Sequence, residues 1–242
     1  MTATGRASRR TSRRTAWRIG LLFLVAVGAG IALVLPYLAL DLDAGRTDPR
    51  NTVHAVLLRV HIFTALIALV LGPLQFAPAI RARRGLHRAI GRWYLFAGVL
   101  PSGVSGIPVA LLADDPVTRV GLLIPSVGWL VTGGLALAAA RRRDFAAHAA
   151  WMTRNYALTF LAVTSRVVVP LLLLAQLPLR DSVYGGSMEA LIDASIPIGQ
   201  WLGWIINLVI AEVLIRRRPR ALRRSASTAE SGHGRAPEAS AD

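Results

Sequence analysis

Among the ionisable side chains within or at the ends of the long apolar stretches, five are candidates for binding chemistry: Arg59, His61, His87, His148 and Arg166. An imidazole can ligate a metal ion or take up a proton near neutral pH, and a guanidinium binds carboxylates and phosphates through paired hydrogen bonds. At membrane depth such groups face a bundle interior or a wet cavity and mark a functional site by default. We therefore take these residues as candidate cofactor-binding or ligand-binding residues and assign no catalytic residue.

Helical spacing predicts which faces carry these groups. On the fifth apolar stretch, one polar or small face consists of residues four and three apart: His148, Met152, Asn155, Thr159, Ala162 and Arg166. This face is roughly 27 Å long, close to the ~30 Å hydrocarbon core of a bilayer. Similar faces occur on the second stretch (His54, Leu58, His61, Ala65, Ala68, Gly72, Gln75) and on the third (His87, Gly91, Tyr94, Gly98, Ser102, Ser105). We expect all three faces to point into a bundle.

The candidate residues fall at two depths. His87 and His148 both precede helices that run outward from the arginine-rich side, so we expect them close together at what we call the inner level. Arg59, His61 and Arg166 define an outer level, where we expect His61 and Arg166 to face each other or a shared cavity. Metal ligation is assigned only to His87 and His148.

Structural explanations compete with these functional ones. His87 and His148 beside arginines can be interfacial anchors, at the height of aromatic residues that resemble a membrane-interface belt: Trp93, Tyr94, Trp151 and Tyr156. The outer arginines can extend to the headgroups. A stripe of small residues can also serve close helix packing alone.

The elements that position these residues are membrane helices. The chain has 242 residues, 54% of them hydrophobic, and a mean hydropathy of +0.49, with apolar residues in blocks of about twenty. The predicted spans are Trp17–Leu40, His54–Ile80, Gly91–Leu112, Val117–Ala140, Ala149–Leu177 and Ile196–Ile215. The expected fold is an all-α polytopic membrane helix bundle of six transmembrane helices. It comprises a basic tail (1–16), a transmembrane domain (17–215) and a second tail (216–242).

Charge distribution predicts the orientation. The 28 basic residues, all arginine, exceed the 13 acidic ones to give a net charge of +15, and they cluster in the tails and in alternate loops. The intervening loops carry Asp and Glu, so the positive-inside rule places both termini in the cytoplasm. Contact with a lipid bilayer accounts for the basic loops, and no nucleic-acid partner is expected.

Several further features limit the functional classes. The absence of cysteine excludes disulfides and thiolate chemistry, and no nucleophile–base–carboxylate set or phosphate loop is present. We expect the first apolar run to be retained as a helix. The polar segment after Arg224 is expected to be disordered. On the sixth span, Gln200, Gly203 and Asn207 form a polar stripe that could close the bundle by interhelical hydrogen bonds.

Three sequence segments resemble a known family. RxHxxTALxALxxGPLQF begins at Arg59, RxRRGLHRxIGRWY begins at Arg81, and HAAWMTRNYALTFxxVTSR begins at His148. Together they resemble the bacterial predicted membrane proteins designated domain of unknown function 2306, over residues 53–166. Ala149 stands where the family usually has arginine. The resemblance implies a multi-pass protein of the bacterial inner membrane and implies no activity.

A more distant similarity is to transmembrane b-type cytochromes, in which histidines of neighbouring helices ligate haem. This similarity implies a b-type haem with His87 and His148 on the iron, approached past Gly91 and Gly98. Arg59 and Arg166 would then hold propionates or a quinone headgroup. His61 has no histidine partner on another helix, so a second haem is not expected.

Three functional classes stay open. The first is haem-linked or quinone-linked transmembrane electron transfer, with a quinone or another membrane redox protein as partner. The second is a non-catalytic membrane subunit or sensor whose polar residues hold the bundle together. The third is a small-molecule or proton-coupled transporter, with His61 titrating and Arg166 binding an anion. A reduced-minus-oxidised absorption spectrum separates the first class from the other two.

Overall fold

The computed structural model describes residues 3–35 and 51–233, with side chains described over 16–35 and 51–217. Secondary structure in these ranges is entirely helical, which confirms the all-α prediction. Six of the described helices are long and apolar enough to cross a membrane: Ala16–Val34, Thr52–Phe76, Arg84–Leu111, Pro116–Arg141, Leu161–Val183 and Met188–Arg217. The six-span architecture is therefore confirmed.

The helices are numbered here in chain order. They are α1 (Ala3–Val34), α2 (Thr52–Phe76), α3 (Pro78–Ala82), α4 (Arg84–Arg92), α5 (Leu100–Leu111), α6 (Pro116–Arg141), α7 (Phe145–Thr159), α8 (Leu161–Gln176), α9 (Arg180–Val183) and α10 (Met188–His233). A π-helical segment, Trp93–Val99, joins α4 to α5, so the three together form the third span. A short 3₁₀ turn, Leu177–Leu179, precedes α9.

Local sequence explains where several helices begin and end. Asn51, Asp115 and Asp144 cap the starts of α2, α6 and α7 by accepting hydrogen bonds from backbone N–H groups three residues on. α2 ends at Phe76, short of the predicted Ile80, because Pro78 forces Ala77 into an extended conformation. The π-helical segment immediately precedes Pro101, which has no N–H to donate to the carbonyl of Ala97.

The predicted fifth span, Ala149–Leu177, is not one continuous helix. It breaks at Phe160, between α7 and α8, and the helix long and apolar enough to cross a membrane begins only at Leu161. Below, the fifth span means α7 and α8 together. Asn207 of α10 covers the break: its side-chain N–H donates to the carbonyl of Ala157 at 3.0 Å, and its side-chain oxygen accepts from Thr164 Oγ1 at 2.8 Å. The predicted polar stripe on the sixth span thus makes interhelical hydrogen bonds across the irregular point of its neighbour.

The break divides the packing of the fifth span between two partners. α7 packs mainly on α6, whereas α8 packs on α10. α10 in turn approaches α6, where the Trp201 indole N–H donates to the carbonyl of Val117 at 3.0 Å and its ring lies against Gly121. α2 packs between α1 and the third span. The central core contains Tyr94, Trp129 and Tyr156.

The last helix extends further than the sequence analysis indicated. We expected disorder after Arg224, but α10 continues to His233, so that expectation is wrong over this part, and residues 234–242 lie outside the described ranges. Alanine, arginine and glutamate in the segment favour helix, and a helix already formed in the sixth span extends without a new nucleation cost.

Candidate functional site

The inner level brings two histidines together from different helices. His87 of α4 and His148 of α7 have ring centroids 6.5 Å apart, and their planes are nearly perpendicular at 88°. Both imidazoles are half-buried. The prediction that these residues lie close together at the same level is confirmed.

His148 is held in a defined orientation. Its Nδ1 lies 2.9 Å from the carbonyl oxygen of Ala136 on α6. Because a carbonyl oxygen can only accept, Nδ1 carries the proton and donates it. In the neutral ring this leaves Nε2 with its lone pair available to a metal ion or a proton donor.

His87 differs from His148 in its second nitrogen. The Nδ1 atom of His87 is buried and has no hydrogen-bond partner within the described residues. A buried polar nitrogen without a partner costs free energy, so native proteins seldom leave one uncompensated. His87 Nδ1 at the inner level can therefore form a hydrogen bond with an additional group.

Gln75 of α2 is a third member of this level. Its side chain is only 6% exposed, and its Nε2 also has no partner among the described residues. Its Oε1 lies 3.2 Å from the position that a Cβ on Gly91 would occupy. Gly91 is one turn after His87, so the Gln75 amide lies over that turn of α4.

Gly91 and Gly98, which we expected to leave space for a haem macrocycle, do not leave that space. A Cβ on Gly98 would lie 2.9 Å from both the backbone nitrogen and the Cβ of Ala68. That position therefore serves close packing of α2 against the third span, and the space beside Gly91 is occupied by Gln75. The expectation that Gly91 and Gly98 line a haem approach is wrong in this arrangement.

At the outer level, His61 packs between α2 and α5. Its Nδ1 donates to the carbonyl of Ser102 at 2.8 Å, and the Ser102 hydroxyl donates back to the carbonyl of His61 at 3.0 Å. The ring lies so close to Gly106 that a Cβ there would approach Nδ1 to 2.8 Å. His61 is thus fixed by the third span.

The prediction that Arg166 lies on the inward face of the fifth span is wrong. Arg166 is exposed on α8 and donates to the carbonyl of Ala162 in its own helix at 2.9 Å. The break at Phe160 explains this, because it ends the regular spacing that had carried the buried face as far as Thr159. Arg59 is half-buried, and its guanidinium lies 3.4 Å from the carbonyl of Ala55 in α2.

A buried hydrogen-bond network links the third, fourth and fifth spans. The Tyr94 hydroxyl donates to Asn155 Oδ1 at 2.6 Å and lies 2.9 Å from Thr159 Oγ1, which also accepts from Trp129 Nε1 at 2.9 Å. The Asn155 amide donates to the carbonyl of Trp129 and to Thr132 Oγ1. The polar side-chain atoms of this network are satisfied, so it holds helices together and leaves no opening for a ligand.

Two of the four aromatic residues that we expected at the membrane interface are buried in the core. Tyr94 and Tyr156 are buried at 0% and 6% exposure, so they belong to the core and not to the interfacial belt that we expected. The Tyr156 hydroxyl donates to the carbonyl of Leu69 at 3.1 Å. Trp93, at 66% exposure, does suit the belt. The stripe spacing could have identified Tyr94, Asn155 and Thr159, but no sequence signal connected them to Trp129.

An ion pair connects the fifth and sixth spans near the inner level. Arg154 Nε donates to a carboxylate oxygen of Glu212, and the guanidinium lies 4.6 Å from the ring centroid of Trp151. The pair neutralises both charges beside the bundle. In the part of the chain that the structure describes, no three acidic or histidine side chains are grouped so as to hold a metal ion.

Comparison with known proteins identifies one family. Residues 58–215 match the model of the family described as predicted membrane protein (DUF2306), and the match continues past Arg166 into the sixth span. No curated protein and no solved structure matches the chain. The matched region covers well over half of the 242 residues. This multi-pass membrane protein therefore belongs to the DUF2306 family of predicted membrane proteins.

Proposed function

We propose that the protein is a haem-linked electron-transfer protein, in which His87 and His148 would hold the iron of one b-type haem. The observation that supports this proposal is the separation of 6.5 Å between the two imidazole centroids, which come from different helices.

The separation would let both imidazoles reach one metal ion, because metal–nitrogen bonds to histidine are about 2.0–2.1 Å long. His148 also has the hydrogen bond typical of a ligating histidine, from Nδ1 to a backbone carbonyl.

The protein residues would position and insulate the group. When bound, a b-type haem supplies reversible one-electron chemistry at its iron, tuned by axial ligands and burial. His148, oriented by its hydrogen bond to Ala136, and His87 would hold the iron. Gln75 and Ala68 occupy the spaces beside Gly91 and Gly98, so these two glycines would not line the macrocycle.

The outer level is retained as a separate proposal. Arg59, His61 and Arg166 stay candidate ligand-binding residues, with Arg166 on the exposed face of α8 and His61 packed against α5. We further propose that the protein resides in a bacterial inner membrane with both termini cytoplasmic, on the basis of its alternating arginine-rich loops. Its electron partner would be a quinone or another membrane redox protein.

The test is a reduced-minus-oxidised absorption spectrum of the detergent-purified protein. We expect a Soret band that is lost in His148→Ala and in His87→Ala and is kept in His61→Ala, which removes a histidine of similar burial at the other level. A folded wild-type protein without a Soret band, after expression with added haem precursor, would refute the proposal.

The buried Tyr94–Asn155–Thr159–Trp129 network favours a second candidate, a non-catalytic membrane subunit. Satisfied polar contacts of this kind stabilise a bundle without requiring a ligand. A colourless protein that co-purifies with a defined membrane partner would support this second function instead.

A further inference from the structure

We infer that the inner level binds the carbonyl-bearing headgroup of a membrane quinone, held by hydrogen bonds from Gln75 and His87. This inference rests on the proposed function, because a redox role supplies a reason for a quinone at this site. Its structural basis is independent of haem. It lies in two unpaired donors that the other parts of the bundle leave unused.

The first observation is that two buried atoms at this level can donate and lack a partner. Gln75 Nε2 carries two hydrogens and His87 Nδ1 can carry one, and neither has a partner within the described residues. Gln75 is 6% exposed, so bulk water does not solvate its amide. Two other buried side-chain atoms in the described part of the chain also lack a partner, Gln200 Oε1 and Trp204 Nε1, and both belong to the sixth span. Two unpaired donors from different helices at one level indicate a group that arrives from elsewhere.

The second observation is that the Gln75 amide lies beside the turn of α4 that follows His87. Gln75 Oε1 lies 3.2 Å from the position of a Cβ on Gly91, which is one turn after His87. α2 therefore brings its amide to the same helix that carries the imidazole. One acceptor oxygen has two lone pairs, so a single ligand carbonyl can accept from more than one donor.

The side chains of Gln75 and His87 favour a ligand that presents a neutral carbonyl group. A glutamine and an imidazole bring no fixed charge, and a carbonyl oxygen can enter such a buried place without the desolvation cost of an anion. A quinone reaches this depth through the bilayer, and its ring is flat. Binding is also compatible with iron on Nε2 of His87, since a metal-ligating imidazole usually directs its other N–H to an acceptor.

The experiment titrates decylubiquinone into the detergent-purified full-length protein and follows quenching of tryptophan fluorescence. Decylbenzene, which has the same chain and no carbonyl, measures purely apolar binding. We expect saturable quenching by decylubiquinone and at least about tenfold weaker binding in Gln75→Leu, the loss expected for a hydrogen-bonded polar group. Gln200→Leu, which alters a glutamine on the sixth span, is the matched control and should bind as wild type.

Several outcomes would overturn the inference. Equal affinity for decylubiquinone and decylbenzene in the wild-type protein would do so without any variant. Unchanged affinity in Gln75→Leu would do the same. Absence of saturable quenching by decylubiquinone in the folded wild-type protein would also overturn it. If Gln75→Leu does not fold, Gln75→Met replaces it in the titration.

Failure of the two proposals can be distinguished. The haem proposal is tested by the Soret band, which Gln75→Leu should retain. Quinone binding in a colourless protein would refute the haem proposal and leave this inference intact. A Soret band in a protein that does not bind decylubiquinone would support the haem proposal and refute this inference.

Discussion

Replacing Asn155 with alanine should destabilise the bundle by an amount that the structure lets us calculate. The Asn155 side chain makes three interhelical hydrogen bonds, one from the Tyr94 hydroxyl and two from its own amide to Trp129 and Thr132. Interhelical hydrogen bonds in membranes contribute about 0.6 kcal/mol on average and at most about 1.7 kcal/mol. Asn155→Ala should therefore lower the free energy of unfolding by about 2 kcal/mol, with an upper limit near 5 kcal/mol.

The assay is unfolding of the purified protein by sodium dodecyl sulfate in mixed micelles, followed by tryptophan fluorescence. Tyr94→Phe removes the hydroxyl contacts to Asn155 and Thr159 and should cost about 1 kcal/mol. Thr153→Ala is the matched control, since Thr153 is buried on the same helix but bonds only to the carbonyl of Ala149 in that helix. A cost below about 0.5 kcal/mol for Asn155→Ala would refute the view that this network holds three spans together.

Three further predictions concern packing, the helix break and orientation. Gly98→Ala should destabilise the protein by about 1–3 kcal/mol because a Cβ would press on the backbone of Ala68, whereas Gly134→Ala, with nothing within 4 Å, should be neutral in the same unfolding assay. Asn207→Leu should speed amide hydrogen exchange at Leu161 and Ala162 by loosening the break, and unchanged exchange there would contradict its bridging role. A fluorescent protein fused after Asp242 should fluoresce while an alkaline phosphatase fusion stays inactive, and the opposite pattern would disprove the cytoplasmic orientation.

Stripe spacing predicted much of the interior because a regular helix repeats the same face every three or four residues. His54, Ala68 and Gln75 on α2, and Gly98 and Ser102 in the third span, are buried as the spacing indicated. The adjacency of His87 and His148 followed from the same rule combined with charge-based orientation. These features depend on local periodicity, which a sequence displays directly.

The errors occur where the backbone is irregular. Nothing in the sequence around Phe160 marks a break, since neither glycine nor proline is present there, and the next proline is Pro170. The contacts of Asn207 are what stabilise the break, and they come from a helix that is distant in sequence. Extending the stripe through this point placed Arg166 in the interior, whereas it is exposed.

The importance of Gln75 could not be predicted for a different reason. Its position on the inward face of α2 is evident from spacing, but the absence of a hydrogen-bond partner depends on every neighbouring side chain. Asn155 has the same kind of amide on an equally polar stripe and is fully bonded. Only the packed arrangement distinguishes an amide that bonds to neighbouring helices from one that has no partner among the described residues.

The break at Phe160 also has a consequence for how the chain enters the membrane. α8 belongs to a stretch that is apolar enough to partition into lipid by itself, whereas α7 has 15 residues and carries Asn155 and Thr159 on its buried face. Such a helix is too short and too polar to favour independent insertion, so we predict that it enters the membrane only when α6 is present to pack against it. The fifth span would then assemble in two stages, α8 by its hydropathy and α7 by packing on α6. Substitutions at Trp129, the α6 residue that receives α7, should first reduce the yield of membrane-integrated protein.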